Sequence, residues 1–382
     1  MSGSNKLKLC FICIVIIVML LTITCNATDV SETIINEIQA ELEIFKSNLS
    51  NEVLDFLPEG VWKGDFSSLL SEDFNEKTIF EFIMDYLFLG LNDALKSFCV
   101  ISVIIIISSL FNTLSSSFSS IAIKNSFNLA SSICASITVF NLCANITHNT
   151  VIYLNGLCKA MECFAPLMST LYILTGNLTS GGVASASFVL FISVIENALV
   201  KLMVPIIYIC ISFSIIKSLG GYFDLSGISK TLKNTFTGVT VFVMSIFMFV
   251  LSCKSILSQS NDSISIKTAK FAISSFIPIV GSTVNDALRT ITSSISLIKN
   301  SCGIIALLVI ALMMLPQIIS LLLYRLLFNI TSSMAKCLKC DTECTVIEEA
   351  SSVCGFLLAL VICTCILFIF AITIMIKSTV VI

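Results

Sequence analysis

Long stretches without charge constrain this chain more than anything else in it. Val353 to Ile376 contains no Asp, Glu, Lys or Arg, and neither does Cys302 to Tyr324. A helix needs about 20 mostly apolar residues to cross the hydrocarbon of a bilayer. In that solvent every backbone N–H and C=O must be paired within the segment, so runs like these read as helices. Only 12% of all residues are charged, where an ordinary soluble domain carries roughly 25%. A surface that poor in ions cannot be wetted, so lipid is the solvent for most of the chain. The expected fold class is therefore all-α, a polytopic membrane protein. The net charge of −3 gives no attraction to nucleic acid.

Residues 1–27 have the three parts of an export signal. Lys6 and Lys8 precede an apolar stretch from Leu9 to Ile23, and Cys25-Asn26-Ala27 is a small-residue cleavage site. An uncleaved anchor helix is the alternative. Either reading makes residues 28–95 an extracytoplasmic, amphipathic helical region. Ile35, Ile38, Leu42, Phe45, Leu49 and Phe56 recur at helical spacing, with Glu37, Glu41, Glu43 and Lys46 on the other face. Such a stripe packs on a partner, folds back on its own chain or lies on the membrane surface. A second short amphipathic helix is expected near 79–91.

Within the membrane, 96–121 is expected to hold the first transmembrane helix and Asn125–Ile146 the next. Phe164–Ile195 is cut by Gly176-Asn177-Leu178-Thr179-Ser180-Gly181-Gly182, which suits a tight hairpin or a re-entrant pair. Spans at Leu202–Leu219 and Thr237–Leu257 follow. Residues 271–298 are interrupted by Pro278, Gly281, Asn285, Asp286 and Arg289. Corresponding landmarks recur, such as Lys124-Asn125-Ser126-Phe127 against Lys233-Asn234-Thr235-Phe236, and Pro205 against Pro316. They suggest an internal repeat, with halves at 122–230 and 231–340, before a loop and a last transmembrane helix in 341–382. Broken segments at matching places are the pattern of transporters and channels.

Placing 28–95 outside puts Lys124, Lys217, Lys230, Lys233, Arg325, Lys336 and Lys339 in the cytoplasm, as the positive-inside tendency asks. Lys254, Lys267 and Lys270 fall outside and run against it.

No catalytic constellation is expected. His148 is the only histidine and reads as a loop residue, so no triad can be built. No phosphate-binding Gly-rich loop occurs, so the chain does not power transport itself. Cys337, Cys340, Cys344 and Cys354 have a metal-like spacing without a nearby histidine, and read as incidental thiols in a loop. Neither a cofactor nor a metal is expected. Ionisable groups in apolar segments are the functional candidates, because burying them in lipid costs at least about 2.5–3.5 kcal/mol. They are Glu162, Glu196, Lys201, Asp286, Arg289 and Arg325. Glu196 can pair with Lys201 and Asp286 with Arg289 about one turn apart, or these charges simply mark interfacial helix ends. Asp286 and Arg289 foremost, with Glu196, Lys201, Pro278, Gly281, Gly181 and Gly182, are the candidate pore or contact residues.

Several stretches resemble a known family. Thr268-Ala269-Lys270-Phe271, Phe276-Ile277-Pro278-Ile279-Val280-Gly281, Leu297-Ile298-Lys299-Asn300 and Gly303-Ile304 are similar to the signature region of stage III sporulation protein AE. Ser180 to Ala186 and Phe56-Leu57-Pro58-Glu59 resemble the same family. The acidic, Cys-containing stretch 337–350 has no counterpart in that pattern. The resemblance implies a role in endospore formation, in the mother-cell membrane around the forespore. It implies partners too: other stage III sporulation membrane proteins of a secretion-like channel assembly, and a separate ATPase. An autonomous secondary transporter and a non-conducting membrane scaffold are the alternatives.

Overall fold

The computed structural model describes residues 39–47, 49, 54, 76–115, 121–174, 186, 188–195, 197, 201–218, 227–242, 244–246, 248–249, 252 and 281–377. Among these residues the chain is helical, with no strand. Five helices frame the fold: α1 (Glu76–Ser115), α2 (Ile121–Leu174), α3 (Lys201–Ser218), α4 (Gly281–Cys337) and α5 (Asp341–Lys377). Among the described residues four segments are long and apolar enough to cross a membrane: Ile83–Leu114, Leu129–Leu171, Asn300–Cys337 and Asp341–Ile374, with Lys201–Phe213 as a shorter apolar helix. This is a multi-pass helical membrane protein.

The helices run through several expected breaks. The amphipathic stretch 79–91 and the first span are one helix of 40 residues, so the boundary at 95/96 falls inside α1. Asp93 and Lys96 do not interrupt it, because they pair on its exposed side at 3.1 Å. Asn125–Ile146, the expected loop around His148 and the first arm of Phe164–Ile195 are likewise one helix, α2, of 54 residues. It carries Pro166 internally, where the lost N–H is offset by packing of the fully buried Phe164, Ala165 and Met168. At a rise of about 1.5 Å per residue α2 is roughly 80 Å long, so it extends well beyond the hydrocarbon.

Gly281, Asn285, Asp286 and Arg289 lie in the first turns of α4, which continues unbroken past Pro316 to Cys337. The segment 281–298 is therefore continuous with the next span rather than interrupted. The expected loop at 337–350 is also mostly helix. Only 338–340 separate α4 from α5. That turn is a Schellman-type cap: Cys340 N–H donates to Ala335 C=O at 3.0 Å and Lys339 N–H to Lys336 C=O at 3.1 Å. Lys339 has a φ of 58°, the left-handed conformation usually left to glycine.

Pairwise contacts give the register. α4 and α5 form an antiparallel hairpin, with Asn329 beside Ser351, Arg325 beside Gly355 and Gly303 beside Ile376. α1 runs parallel to α4, from Gly90 against Ser320 and Leu323 to Ser109 against Leu338. α2 runs antiparallel to α4, with Thr150 against Gln317 and Gly156 against Met313. The centre is filled by side chains such as Leu154, Leu157, Met161 and Phe164, and by a mutual cluster of Phe188, Phe191 and Phe368. The most apolar windows of α4 and α5 are 56% buried and that of α1 only 28%. The hairpin is thus the core, and α1 is its exposed wall. Val103, Ile106, Ile107, Leu110 and Leu114 line the exposed side of α1 at three- and four-residue steps.

The N-terminal helical stretch 39–47 folds back on its own chain. Leu42 and Phe45 are buried, and the Phe45 ring lies 5.8 Å from that of Phe164. Glu43 and Lys46 remain exposed. The segments 175–185 and 253–280, which carry the Gly176–Gly182 break and Pro278, lie outside the described residues.

Candidate functional site

Three carboxylates at the start of α5 gather the polar groups of the bundle. Asp341 and Glu343 occupy the first turn, where the unpaired N–H groups of a helix favour negative charge. Glu343 is 2% exposed. Its Oε1 accepts from Ser108 Oγ of α1 at 2.6 Å and from Ser131 Oγ of α2 at 2.9 Å, and its Oε2 accepts from Thr342 Oγ1 at 2.7 Å. A buried carboxylate needs several donors to offset lost hydration, and two helices other than its own supply them here.

Glu348 turns toward α4, where Lys336 Nζ lies 2.5 Å from its Oε1 and Ser332 Oγ donates at 3.4 Å. Both charged side chains are about half exposed, so this pair contributes little. Glu349 is different. Lys233 Nζ sits 2.7 Å from its Oε1, with side-chain exposures of 11% and 18%. Ser229 Oγ donates to the same oxygen at 3.0 Å, and Lys233 also donates to Ser352 Oγ at 2.7 Å. The helical stretch 227–242 is thereby pinned to α5. Cys210 of α3 joins through its thiol, 3.8 Å from Ser229 C=O. Five elements, α1, α2, α3, the stretch 227–242 and α4, thus meet α5 at one end of the bundle.

The thiols nearby serve packing. Cys340 is buried and its Sγ lies 3.8 Å from Ile105 C=O, while Cys344 Sγ lies 3.7 Å from Ser332 C=O. Burial pushes the Cys340 thiol above its ordinary range, and the Ser108 hydrogen bond only partly opposes this. A thiol held protonated is a poor nucleophile and a poor metal ligand. Cys337 is exposed and Cys354 buried one helix away. Among the described residues no group of three or more His, Cys, Asp and Glu side chains is arranged to hold a metal ion.

A second polar pair lies deeper. Gln317 Nε2 donates to Thr150 Oγ1 at 2.6 Å, and Thr150 donates to Ile146 C=O at 2.8 Å. Both side chains are buried.

Of the residues picked out by sequence, Lys201 opens α3, is exposed and donates to Asn197 Oδ1 at 2.6 Å. Gly281 is the first residue of α4, and Asp286 and Arg289 follow on its backbone; their side chains lie outside the described residues, as do Glu196, Pro278, Gly181 and Gly182. Glu162 is exposed within α2, and Arg325 stands in the middle of α4 rather than at a helix end. The carboxylates of α5 were legible only as part of a loop. Their signal was positional: Glu348 and Glu349 stand immediately before a long uncharged run, where an unpaired charge would be costly.

The sequence profile of stage III sporulation protein AE matches residues 65–379. A curated relative with that name, from Bacillus subtilis (strain 168), is 28% identical over 170 residues. That alignment spans 43% of this chain and 42% of the relative's length. No solved structure matches the chain. With a match running from before α1 through α5, the chain belongs to the stage III sporulation protein AE family, and its role lies in sporulation.

Proposed function

We propose that the chain is a membrane-embedded subunit of the assembly that links mother cell and forespore, working without chemistry of its own. The observation that carries this reading is how the polar groups are used. The carboxylates of α5 are occupied by serines and lysines of the same chain, so they hold helices together and offer no acid, base or nucleophile to a substrate. The middle of the bundle is filled by large side chains such as Phe164, Phe191 and Met161. The subunit therefore lends a wall to a conduit formed with other stage III sporulation membrane proteins and does not enclose one alone. Energy comes from a separate ATPase.

The polar end of the bundle, bearing Lys233, Lys336 and Lys339, is the cytoplasmic one on the positive-inside rule. The 39–47 stretch, packed on the far end of α2 through Phe45 and Phe164, is then extracytoplasmic, in the space between the two membranes. The exposed charges of the 39–47 helix, Glu43 and Lys46, face partners there. The mother-cell membrane around the forespore is the expected location.

An affinity-tagged chain, solubilised from sporulating cells in mild detergent, is expected to co-purify with several other sporulation membrane proteins. Recovery of the chain alone, together with solute movement by the purified protein in liposomes, would replace this reading with an autonomous transporter.

A further inference from the structure

We propose that the exposed face of α4 around Arg325 binds the headgroup of an anionic phospholipid. The groove there has a volume of about 570 Å³ and is lined by Leu322, Leu323, Arg325, Leu326, Asn329 and Ile330, with Ser333 at its end. Arg325 is the only charge on α4 between Lys299 and Lys336. Among the described residues no carboxylate pairs with it. Its guanidinium lies over the backbone of α5 at Gly355, where a Cβ would stand 3.2 Å from Cζ. The missing side chain of Gly355 makes that space.

The depth fits a headgroup. Asn329 is level with Ser351 and Arg325 with Gly355. Glu349 is the last charged residue on α5 before Lys377. Arg325 therefore lies about 9 Å past the level of the last carboxylate, at a rise of about 1.5 Å per residue, which is where hydrocarbon begins and a long side chain reaches back to the interface. Asn329 accepts from Ser351 through Oδ1, so its amide N–H groups remain as donors. A guanidinium and an amide can grip a phosphodiester. Below them Leu322, Leu326 and Ile330, each about half exposed, offer a surface to acyl chains. Charge complementarity and this polar-to-apolar sequence along one face select an anionic lipid over a protein helix.

The full chain, purified in uncharged detergent, would be offered phosphatidylglycerol and phosphatidylcholine of identical chains and examined by native mass spectrometry. The wild type is expected to retain phosphatidylglycerol about fivefold better, the weight of one cation near a lipid phosphate. Arg325→Gln should remove the preference, and so should Gly355→Leu, which evicts the guanidinium while keeping the charge. Lys96→Gln, an exposed cation on α1, should leave it intact. Equal retention of both lipids by the wild type would overturn the proposal, as would a preference that survives Arg325→Gln. Loss of an oligomer in Arg325→Gln with unchanged lipid preference would overturn it too, and would assign the face to a second copy of the chain.

Discussion

Lys233 and Glu349 lie 116 positions apart in sequence and 2.7 Å apart in space, each with less than a fifth of its side chain exposed. Their pairing ties the helical stretch 227–242 to α5. Removing one partner strands the other charge, at a cost of about 3–5 kcal/mol for a buried pair. Lys233→Met is therefore expected to lower the unfolding midpoint in detergent sharply. Combining it with Glu349→Met should recover much of the loss, because two apolar groups leave no charge uncompensated. If the double variant is as unstable as the sum of the singles, the pair is not coupled.

Glu343 is a test of the same hub without an ion pair. Its two oxygens serve Ser108, Ser131 and Thr342. Glu343→Ala leaves three hydroxyls without an acceptor, and bonds to a charged group are worth about 1.5–3 kcal/mol each. Limited proteolysis is expected to find the 338–340 turn and the end of α1 more open in this variant. Glu343→Gln, which keeps one carbonyl oxygen, should fall between it and the wild type. Identical cleavage in all three would mean that the hub does not hold α1.

Gln317 and Thr150 separate hydrogen bonding from packing. Thr150→Val preserves shape but leaves the Gln317 amide in an apolar core without its acceptor, a loss of about 1–3 kcal/mol. Adding Gln317→Leu removes the stranded group, and the double variant should return to near wild-type thermal stability. A double variant worse than Thr150→Val alone would show that the amide has another partner.

Lys339 sits at the left-handed position of the α4 cap, where a side chain costs about 1–2 kcal/mol relative to what glycine pays. Lys339→Gly should therefore stabilise the chain by up to about 1 kcal/mol, with the flexibility of glycine in the unfolded chain offsetting the rest. A lower unfolding midpoint would mean that the Lys339 charge holds the turn at the membrane surface.

What was legible in the sequence follows from which signals lipid leaves intact. Scarcity of charge identified a helical membrane protein, and the long apolar cores of α4 and α5 were visible as spans. Helix ends were not. In water, Asp93 with Lys96, the polar stretch around His148, and Pro166 would each argue for a break. In a bundle Asp93 and Lys96 pair on an exposed side and Pro166 is enclosed by buried neighbours, so each helix continues. The α5 carboxylates look like loop residues in the sequence for a related reason: their donors, Ser108, Ser131 and Lys233, are far away along the chain, and no local pattern announces them. The pore candidates rest on Gly- and Pro-rich breaks, and of Gly181, Gly182, Pro278 and Gly281 only Gly281 falls on described backbone, as the start of a helix.

The orientation of the bundle yields a last test, because its two ends carry distinct handles. Ser131 of α2 touches the Glu343 end and Phe164 of the same helix holds Phe45; the helix between them is about 50 Å long at about 1.5 Å per residue. That exceeds the roughly 30 Å of hydrocarbon, so the 338–340 turn and the 39–47 stretch must stand on opposite faces. Cys337 is exposed at the turn, whereas the exposed Cys99 and Cys134 lie on the apolar helices α1 and α2. A charged maleimide needs a hydrated thiolate, so only thiols in water react with it. In a chain with Cys99 and Cys134 replaced by serine, the reagent is expected to label Cys337 in inside-out vesicles but not in intact cells, with the further Cys337→Ser change as the blank. Glu43→Cys in that background should show the reverse. Labelling of both positions from one side would refute the two-ended arrangement, and with it the placement of the 39–47 stretch between the membranes.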